Sequence, residues 1–458
     1  MHLFKCNYTF YPFLLMGVLY SNENFHVYPI LFSTYKSAGG DWHYEEEYIS
    51  ISGVGLSARS AFNNWTIDAN YIQLGLMGNI TDKLMNFSPT QSFPYIDGSK
   101  DASSFWTEIA TMKVSYHKNP IKFEFGKFDR HWGPGNRAIY ISNKPPSYPQ
   151  FGFEWQIRKN IKLIYFHGLL KSNIPDTSRG VYYNNQVGSR SVDLSRFIAA
   201  HRIEWQPIKR LTLNANESVI YGNRGLDFNY LLAVIPLYQI ENYLGDIDNV
   251  QMGCDITYQL TPEVLLYLGF YMDELTPEWL FRENNHNWFA WQFGLNWQKL
   301  LFNSDRIIFE YNWTDHRIYK HKFPINDYYS HDQPLGYWAG PHAEELLAHY
   351  QYELHSYQIH LTFSNTKRGA LTNQMIYNKY HDIKDQRFSG DPGHEQKSIL
   401  RIDVQKYLKI KGLSYQIGAD WIQWKNAGFD VFYPDLNQVK DINKVSVNVA
   451  VFYNFIFD

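Results

Sequence analysis

The chain has 458 residues and a formal net charge of −3, which excludes a general electrostatic affinity for nucleic acid. Aromatic residues make up 18% of the chain and charged residues only 19%, a balance typical of proteins with girdles of rings at a membrane surface. Beyond the N-terminus no apolar run of about 18 residues occurs, which excludes a transmembrane helix. No linker, charge block or low-complexity tract divides the chain, so residues 22–458 are interpreted as one domain.

The N-terminal stretch resembles a secretory signal. Lys5 precedes an apolar segment at residues 13–20, and residues 1–21 are therefore predicted to be a signal peptide. The chain has only 2 cysteines, Cys6 in this segment and Cys254 on an apolar strand face, which excludes a disulfide framework.

Alternating apolar and polar residues recur along the whole chain, as expected for β-strands. Strands are predicted at residues 27–36, 45–60, 64–78, 104–117, 121–130, 151–157, 161–171, 196–206, 210–221, 250–260, 263–273, 288–300, 305–315, 350–364, 368–380, 397–408, 412–424 and 443–457. Short gaps such as 207–209 alternate with long connections such as 222–249, and the short and long ends never exchange places. This asymmetry is typical of an outer-membrane barrel with short periplasmic turns and long extracellular loops.

The last predicted strand has the clearest pattern, with Val445, Val447, Val449 and Val451 alternating with polar or small residues before the aromatic C-terminus. Alternation alone does not separate a membrane barrel from a soluble β-sandwich. The amide-rich polar faces, however, suit a watery lumen. We therefore predict an all-β fold, a transmembrane antiparallel β-barrel of about 18 strands in the outer membrane of a Gram-negative cell, in contact with lipid. Strand side chains cannot fill so wide a lumen, which must either conduct or be plugged by loops.

The first informative loop follows the fifth strand. The Gly-Pro-Gly sequence at 133–135 predicts an abrupt turn that gathers Arg130, His131, Trp132 and Arg137 at the barrel mouth. An exposed Trp ring stacks on a sugar, and Arg pairs with its carboxylates or phosphates. In the alternative interpretation the turn folds inward and these residues brace other loops.

The second informative stretch is 216–225. Glu217 shares the parity of the lipid-facing residues, which predicts either a β-bulge or a position above the membrane. Next to Arg224 it would serve as a ligand contact or as part of an internal ion pair. Acidic residues at 241–248 suggest calcium, but they form no complete binding loop, and no metal is predicted.

The third is the longest loop, 316–349. Its five histidines match no zinc pattern, and they are interpreted as solvated. The loop also combines aromatic and polar residues that suit stacking on and hydrogen bonding to sugars. They are Tyr328, Tyr329, Tyr337 and Trp338 with Asp327, Asp332 and Gln333. The sequence from His342 to Leu347 is predicted to form a helical turn. The five histidines of this loop, interpreted as solvated, are His316, His321, His331, His342 and His349.

Together these stretches resemble the Wzi family of outer-membrane capsule-attachment proteins. The resemblance lies in RHWGPG, ESVIYGNRG, PLY followed by Asp248 and Asn249, Asp273 with Glu274, and PLGYWAGPHAEEL. It implies an eighteen-stranded barrel and a non-enzymatic surface lectin that holds capsular or other exopolysaccharide. Enterobacterial members carry an N-terminal periplasmic helical bundle, for which this sequence shows no long helices.

The predicted function is therefore a surface lectin that helps to attach or assemble polysaccharide, without cofactor and as a monomer. The residues predicted to bind polysaccharide are Arg130, His131, Trp132, Arg137, Glu217, Arg224, Tyr337 and Trp338. The main alternative is an outer-membrane porin or a polysaccharide-conducting channel, for which the polar strand faces show no charge bias. A hydrolase is not supported, because no Gly-x-Ser-x-Gly sequence is present.

Overall fold

The computed structural model describes residues 25–45, 47–78, 80, 84–98, 104–273, 287–372, 375–376, 386–434 and 439–454. The predicted signal peptide and the aromatic residues Phe455 and Phe457 lie outside the described residues. No helix in the described part of the chain is long and apolar enough to cross a bilayer.

Strands dominate the fold, and the helices are short and lie in loops. Among the elements that the structure describes over their full length, the helices are α1 (Gly180–Tyr183) and α2 (Leu237–Leu244), with 3-10 turns at Ser37–Gly39, Thr177–Arg179, Phe228–Leu231 and Pro324–Asn326. The strands are β1 (Phe25–Lys36), β2 (Ile49–Phe62), β3 (Trp65–Gly78), β4 (Ser104–Lys118), β5 (Ile121–Phe128), β6 (Tyr148–Arg158), β7 (Ile161–Pro175), β8 (Asp193–Ile208), β9 (Leu211–Gly222), β10 (Asn249–Gln259), β11 (Val264–Asp273), β12 (Trp288–Gln298), β13 (Asp305–Thr314), β14 (Tyr329–Ser330), β15 (Gln333–Pro334), β16 (Ala343–Leu354), β17 (Tyr357–Gly369), β18 (His394–Tyr407), β19 (Leu413–Ala427) and β20 (Lys440–Asn454).

Eighteen of these strands form one closed antiparallel sheet. Each pairs with the next along the chain, except that β13 pairs with β16 and leaves β14 and β15 as a small hairpin in the intervening loop. The barrel closes where β20 pairs with β1, with Val449 opposite Tyr35. The predicted eighteen-stranded barrel is thus confirmed.

Side chains alternate between the outer wall of the barrel and the lumen. In β20, Val445 is 64% exposed on the outside, whereas Ser446 beside it is fully buried. The outer face is apolar, as in barrels whose outer wall contacts acyl chains. The inner face is polar but buried, because loops occupy the lumen.

The short and long connections lie at opposite ends, as predicted. β2 and β3 are joined by two residues, of which Asn63 has a φ of 50°, a left-handed value that Asn tolerates in a tight hairpin turn. The loop between β5 and β6 instead spans residues 129–147. Long loops are the extracellular ones in outer-membrane barrels, which orients the molecule.

The strand predictions at 350–364 and 368–380 are wrong. The structure has β16 and β17 joined by a turn at His355, whose φ is 54°. The predicted helical turn at 342–347 is instead the start of β16. The exposed apolar residues change from even numbers (Leu346, Leu354) to odd numbers (Leu361, Phe363) across this turn, and this change of parity is the signal that locates the hairpin.

Candidate functional site

The loop of residues 129–147 folds down into the lumen. The backbone N–H of Trp132 donates to the carbonyl of Ile141 at 2.8 Å, which makes the segment a hairpin. At its turn, Gly133 has a φ of 141°, a conformation that favours glycine. A side chain at Gly135 would collide with Glu310 of the barrel wall, so glycine lets this hairpin approach the wall closely.

Hydrogen bonds attach this hairpin to the far side of the barrel. The backbone N–H of Arg137 donates to the Glu310 carboxylate on β13 at 3.1 Å. The hydroxyl of Tyr140 donates to the carbonyl of Phe270 on β11 at 2.6 Å. The hairpin therefore crosses the lumen and does not merely line its rim.

A second loop, residues 315–342, packs on the first. The hydroxyl of Tyr319 donates to the carbonyl of Ile139 at 2.7 Å, and the N–H of Ser142 donates to the carbonyl of Leu335 at 2.6 Å. The guanidinium of Arg196, which points inward from β8, donates to the carbonyls of this loop, including that of Ile325 at 2.7 Å. We call the two loops together the plug. Their aromatic and aliphatic residues join lumenal strand residues in one buried cluster.

Glu345 is the hydrogen-bonding centre of the plug. This carboxylate points inward from β16 and is 1% exposed. It accepts from the Arg137 guanidinium at 3.1 Å, from the Tyr337 hydroxyl at 2.9 Å and from the Trp338 indole N–H at 3.0 Å. Both plug loops are thus hydrogen-bonded to the same carboxylate of the barrel wall.

Lumenal cations hold the remaining loops. Lys397 donates to the carbonyls of Asp41 and Phe87, and Arg401 pairs with the Asp41 carboxylate at 2.8 Å. The ammonium of Lys144 in the plug donates to the carbonyl of Met85 at 2.8 Å. Such bonds satisfy loop carbonyls that would otherwise be buried without a partner. Loops thus fill the lumen near the long connections, whereas Glu154 and Lys162, nearer the short turns, keep side chains that are 30% and 29% exposed.

Lys144 makes the stability of this arrangement depend on pH. Burial, reinforced by the nearby Lys397 and Arg368, lowers the pKa of Lys144 to about 7. Between this value and the ordinary lysine pKa of about 10.4 the unfolded chain binds the extra proton, so stability rises with pH in that window, by at most about 1.4 kcal/mol per pH unit. We expect the slope of unfolding free energy against pH, measured by urea titration in detergent, to be smaller in Lys144→Met. Equal slopes in both proteins would contradict this assignment.

The structure places three predicted site residues at the base of the plug. Arg130 is largely buried, pairs with Glu124 at 3.1 Å and lies 4.6 Å from the centre of the Phe166 ring. The ring of Trp132 is 7% exposed and meets Phe166 edge to face. His131 is exposed and bonds to a carbonyl within its own loop. The inward-folding interpretation of this turn describes the observed geometry.

Three further predicted residues surround Glu345. Arg137, Tyr337 and Trp338 all donate to its carboxylate, and Tyr337 is fully buried. Trp338 differs from the other two, because it also lines the cleft described below.

Glu217 and Arg224 lie away from the mouth. Pairing of β9 with both neighbouring strands is continuous through Glu217, which excludes the bulge, one of the two predicted alternatives. Glu217 keeps its outward parity, and its carboxylate accepts the N–H groups of Leu237 and Tyr238 at the start of α2. Arg224 forms an ion pair with Asp248 in the same loop. That carboxylate, one of the acidic residues considered for calcium, is therefore engaged by a cation.

The prediction of solvated histidines is wrong for His316, His321 and His342, which are buried. Burial lowers the pKa of His321 to about 4 and that of His342 to about 2. In the ring of His342, Nδ1 donates to the carbonyl of Ala370 at 2.6 Å and Nε2 accepts the N–H of Phe388 at 2.9 Å, which fixes one neutral tautomer. Among the described residues, no cluster of three or more His, Cys, Asp or Glu is arranged to hold a metal ion.

A cleft of about 170 Å³ opens on the extracellular side of the plug. Its lining combines aromatic rings with polar groups. Lys320 lies 4.6 Å from the centre of the Tyr329 ring and 5.2 Å from that of Phe432, so it bridges the two loops that carry these rings. The lining includes Tyr329, Asp332, Gln333, Trp338, Arg368 and Phe432.

Part of this cleft comes from residues that the sequence analysis did not single out. Asn86, Arg368, Asp430 and Phe432 lie on connections or strand ends far from the longest loop in sequence. The available signal was the pair of aromatic residues, Phe432 and Tyr433, two residues after Asp430 in a long connection. That pattern indicates a ring at the rim but does not indicate its neighbours.

Comparison with known proteins supports the family resemblance found in the sequence. The family described as "Capsule assembly protein Wzi" matches residues 87–430, which is 344 of the 458 residues. None of the curated proteins compared with the chain matches it.

Among solved structures, the chain resembles Wzi of Escherichia coli, described as an outer membrane protein involved in group 1 capsule assembly and as a carbohydrate-binding β-barrel. The identity is 12% and the TM-score 0.58, with 94% of this chain and 85% of that chain covered. Pseudomonas aeruginosa OprD is 10% identical with a TM-score of 0.47, with 94% and 95% covered. The match to the family over most of the chain, together with the shared outer-membrane barrel fold, shows that this chain belongs to the Wzi family of capsule assembly proteins.

Proposed function

We propose that this protein binds capsular or other exopolysaccharide at the cell surface and helps to attach or assemble it there, as a lectin and not as an enzyme. The observation that carries the proposal is a ring-lined polar cleft at the outer mouth of a barrel whose lumen is filled. Membership of a capsule assembly family supports it, as does the description of a solved family member as carbohydrate-binding.

The chemistry of the cleft suits a sugar. The rings of Tyr329 and Phe432 offer apolar faces for the C–H side of a pyranose, and Asp332 and Gln333 offer groups that hydrogen-bond hydroxyls. Its volume of about 170 Å³ is below the roughly 300–1,000 Å³ of pockets that enclose whole ligands. The cleft therefore fits a short part of a long polymer that continues across the surface.

The predicted site residues take different parts in this proposal. Trp338 lines the cleft from its buried side, and Arg137 and Tyr337, which donate to the same Glu345 carboxylate, hold it in place. Arg130 and Trp132 support the plug beneath. Glu217 and Arg224 hold the loop between β9 and β10, which does not line the proposed cleft.

Replacing Phe432 by Ala is expected to weaken polysaccharide binding without disturbing the barrel. The ring is 41% exposed, so its loss removes a stacking surface and little packing. A ring contact is worth about 0.5–1.5 kcal/mol, which corresponds to a roughly two- to tenfold loss of affinity, and more in Phe432→Ala with Tyr329→Ala. The measurement is the polysaccharide retained on washed cells that re-express each variant, together with binding to the purified protein.

Phe323→Ala is the matched control, because Phe323 is an exposed ring in the plug loop that does not line the cleft. It should retain wild-type amounts of polysaccharide. Equal retention by Phe323→Ala and the double cleft variant, at equal amounts of barrel in the membrane, would refute the proposed cleft.

A further inference from the structure

The loop between β9 and β10 turns downward along the outside of the barrel. His201 on β8 shares the parity of Ile203 and Trp205, which are exposed on the outer wall. Its ring bonds to the carbonyl of Ala233 at 3.0 Å and lies 2.8 Å from the carboxylate of Glu217. Since Glu217 also accepts from the start of α2, the tip of the loop is attached to the outer wall. We call residues 223–248 the outer flap.

The attachment lies at the depth of the membrane. Glu217 is the seventh of the 12 residues of β9, midway between the turn and the rim. With a rise of about 3.3 Å per residue and a strand tilt of about 40°, it lies roughly 15 Å above the periplasmic end of the strand. The apolar band of an outer-membrane barrel is about 25 Å tall, so the flap tip lies beside that band.

The composition of the flap suits this depth. Residues 228–240 contain no Asp, Glu, Lys or Arg, and the charged residues of the flap lie near its two ends. The tip presents Val234, which is 71% exposed, with Leu232 and Ile235 also exposed beside it. Ile203 and Trp205, which follow His201 on the outward face of β8 toward the short turn, are exposed as well.

Polar groups under the flap are paired, as lipid burial requires. The Tyr165 hydroxyl donates to the carbonyl of Tyr230 at 2.7 Å, and the hydroxyl of Tyr221 lies 2.8 Å from the ring of His167. The tip itself forms turns, in which the N–H of Ile235 donates to the carbonyl of Leu232 at 2.9 Å. Apolar side chains of the flap and the wall pack between these groups.

We propose that the outer flap is a lipid-binding element whose tip, residues 231–236, contacts the acyl chains of the outer leaflet. It covers a polar patch of the wall, formed by His167, His201 and Glu217, that would otherwise face hydrocarbon. The flap thereby fixes the depth and orientation of the barrel at the rim where the cleft opens.

A nitroxide label at Val234→Cys tests this proposal in the full-length protein reconstituted into phospholipid vesicles. The background carries Cys6→Ala and Cys254→Ala, because Cys254 is itself exposed. Two matched labels give the reference values of the collision ratio in lipid and in water. The lipid reference is Ile203→Cys on the outer wall, and the water reference is Val187→Cys, where Val187 is 98% exposed in the 176–192 loop. The measurement is the ratio of collisions with oxygen, which partitions into lipid, to collisions with a water-soluble nickel complex.

We expect the ratio at Val234 to match that at Ile203. A ratio equal to that at Val187 would overturn the proposal, because the tip would then lie in water. Low collision with both reagents, or spin–spin broadening between labels, would also overturn it, in favour of a protein occupant such as a second copy of this chain. The polysaccharide assay on the Phe432 variant is independent of all these outcomes.

Discussion

Replacing residues 131–146 by a short Gly-Ser linker is expected to convert the closed barrel into an open pore. The deletion removes the hairpin that bonds to Glu310 and to the carbonyl of Phe270 across the lumen. It also removes the partners of Tyr319 and Leu335 in the second plug loop. An eighteen-stranded wall without this filling encloses an aqueous channel, so the permeability to small sugars should rise at least about tenfold.

Liposome swelling and planar-bilayer conductance measure this change, with folding verified by the resistance of the barrel to protease. A deletion of residues 178–190 is the matched control, because this exposed extracellular loop is also long but contributes nothing to the buried plug cluster. The control should remain as closed as the wild type. Large steady conductance of the wild-type protein would contradict the plug and favour the porin alternative.

The barrel was predictable because its signals are local. The period-two pattern of Val445 to Val451 and the alternation of short and long gaps need no knowledge of distant contacts. The one displaced hairpin, at residues 355–356, lacks Gly or Asn and has His355 at its turn. Without the usual turn residues, only the change of apolar parity marked the position.

The plug could not be predicted in the same way. The sequence around Gly133 and Gly135 indicates an abrupt turn, but the direction in which the loop folds depends on residues such as Glu310 and Glu345. Arg137 and Glu345 are 208 positions apart, and no local pattern couples them. The interpretation of Trp132 and Trp338 as rings that suit a sugar was compatible with burial, since the same side chains serve a hydrophobic core.

The cleft, too, could be predicted only in part, because some of its residues are distant in sequence. The sequence indicates that Tyr329, Asp332 and Trp338 suit binding to a sugar. Phe432 and Arg368 lie far from them in sequence and come to the cleft only because the barrel closes. For Glu217, in contrast, the nearby sequence did contain a signal. Its outward parity already conflicted with a lipid environment, and the uncharged stretch at 228–240 that follows was the signal for a segment covering it.

Replacing Glu345 by Ala is expected to destabilise the plug by about 3–5 kcal/mol, the usual cost of leaving a buried charge without its partner. The Arg137 guanidinium loses a carboxylate at 3.1 Å, and the Tyr337 hydroxyl and the Trp338 indole N–H lose their acceptor. Because β16 keeps its backbone pairing, the barrel itself should persist. The measurements are the frequency of open-channel events in planar bilayers and the rate of protease cleavage within residues 315–342.

The double variant Arg137→Met with Glu345→Leu distinguishes the effect of the ion pair from the effect of side-chain packing. It removes both members of the buried ion pair, and apolar replacement of such a pair is often close to neutral. We therefore expect it to stay closed more often than Glu345→Ala, although Tyr337 and Trp338 still lack their acceptor. If the two variants open equally often, the ion pair adds nothing to closure, and the indole and hydroxyl bonds alone hold Trp338 under the cleft. If neither opens, Glu345 is not the centre of the plug, because the packing of the two loops then suffices to close the lumen.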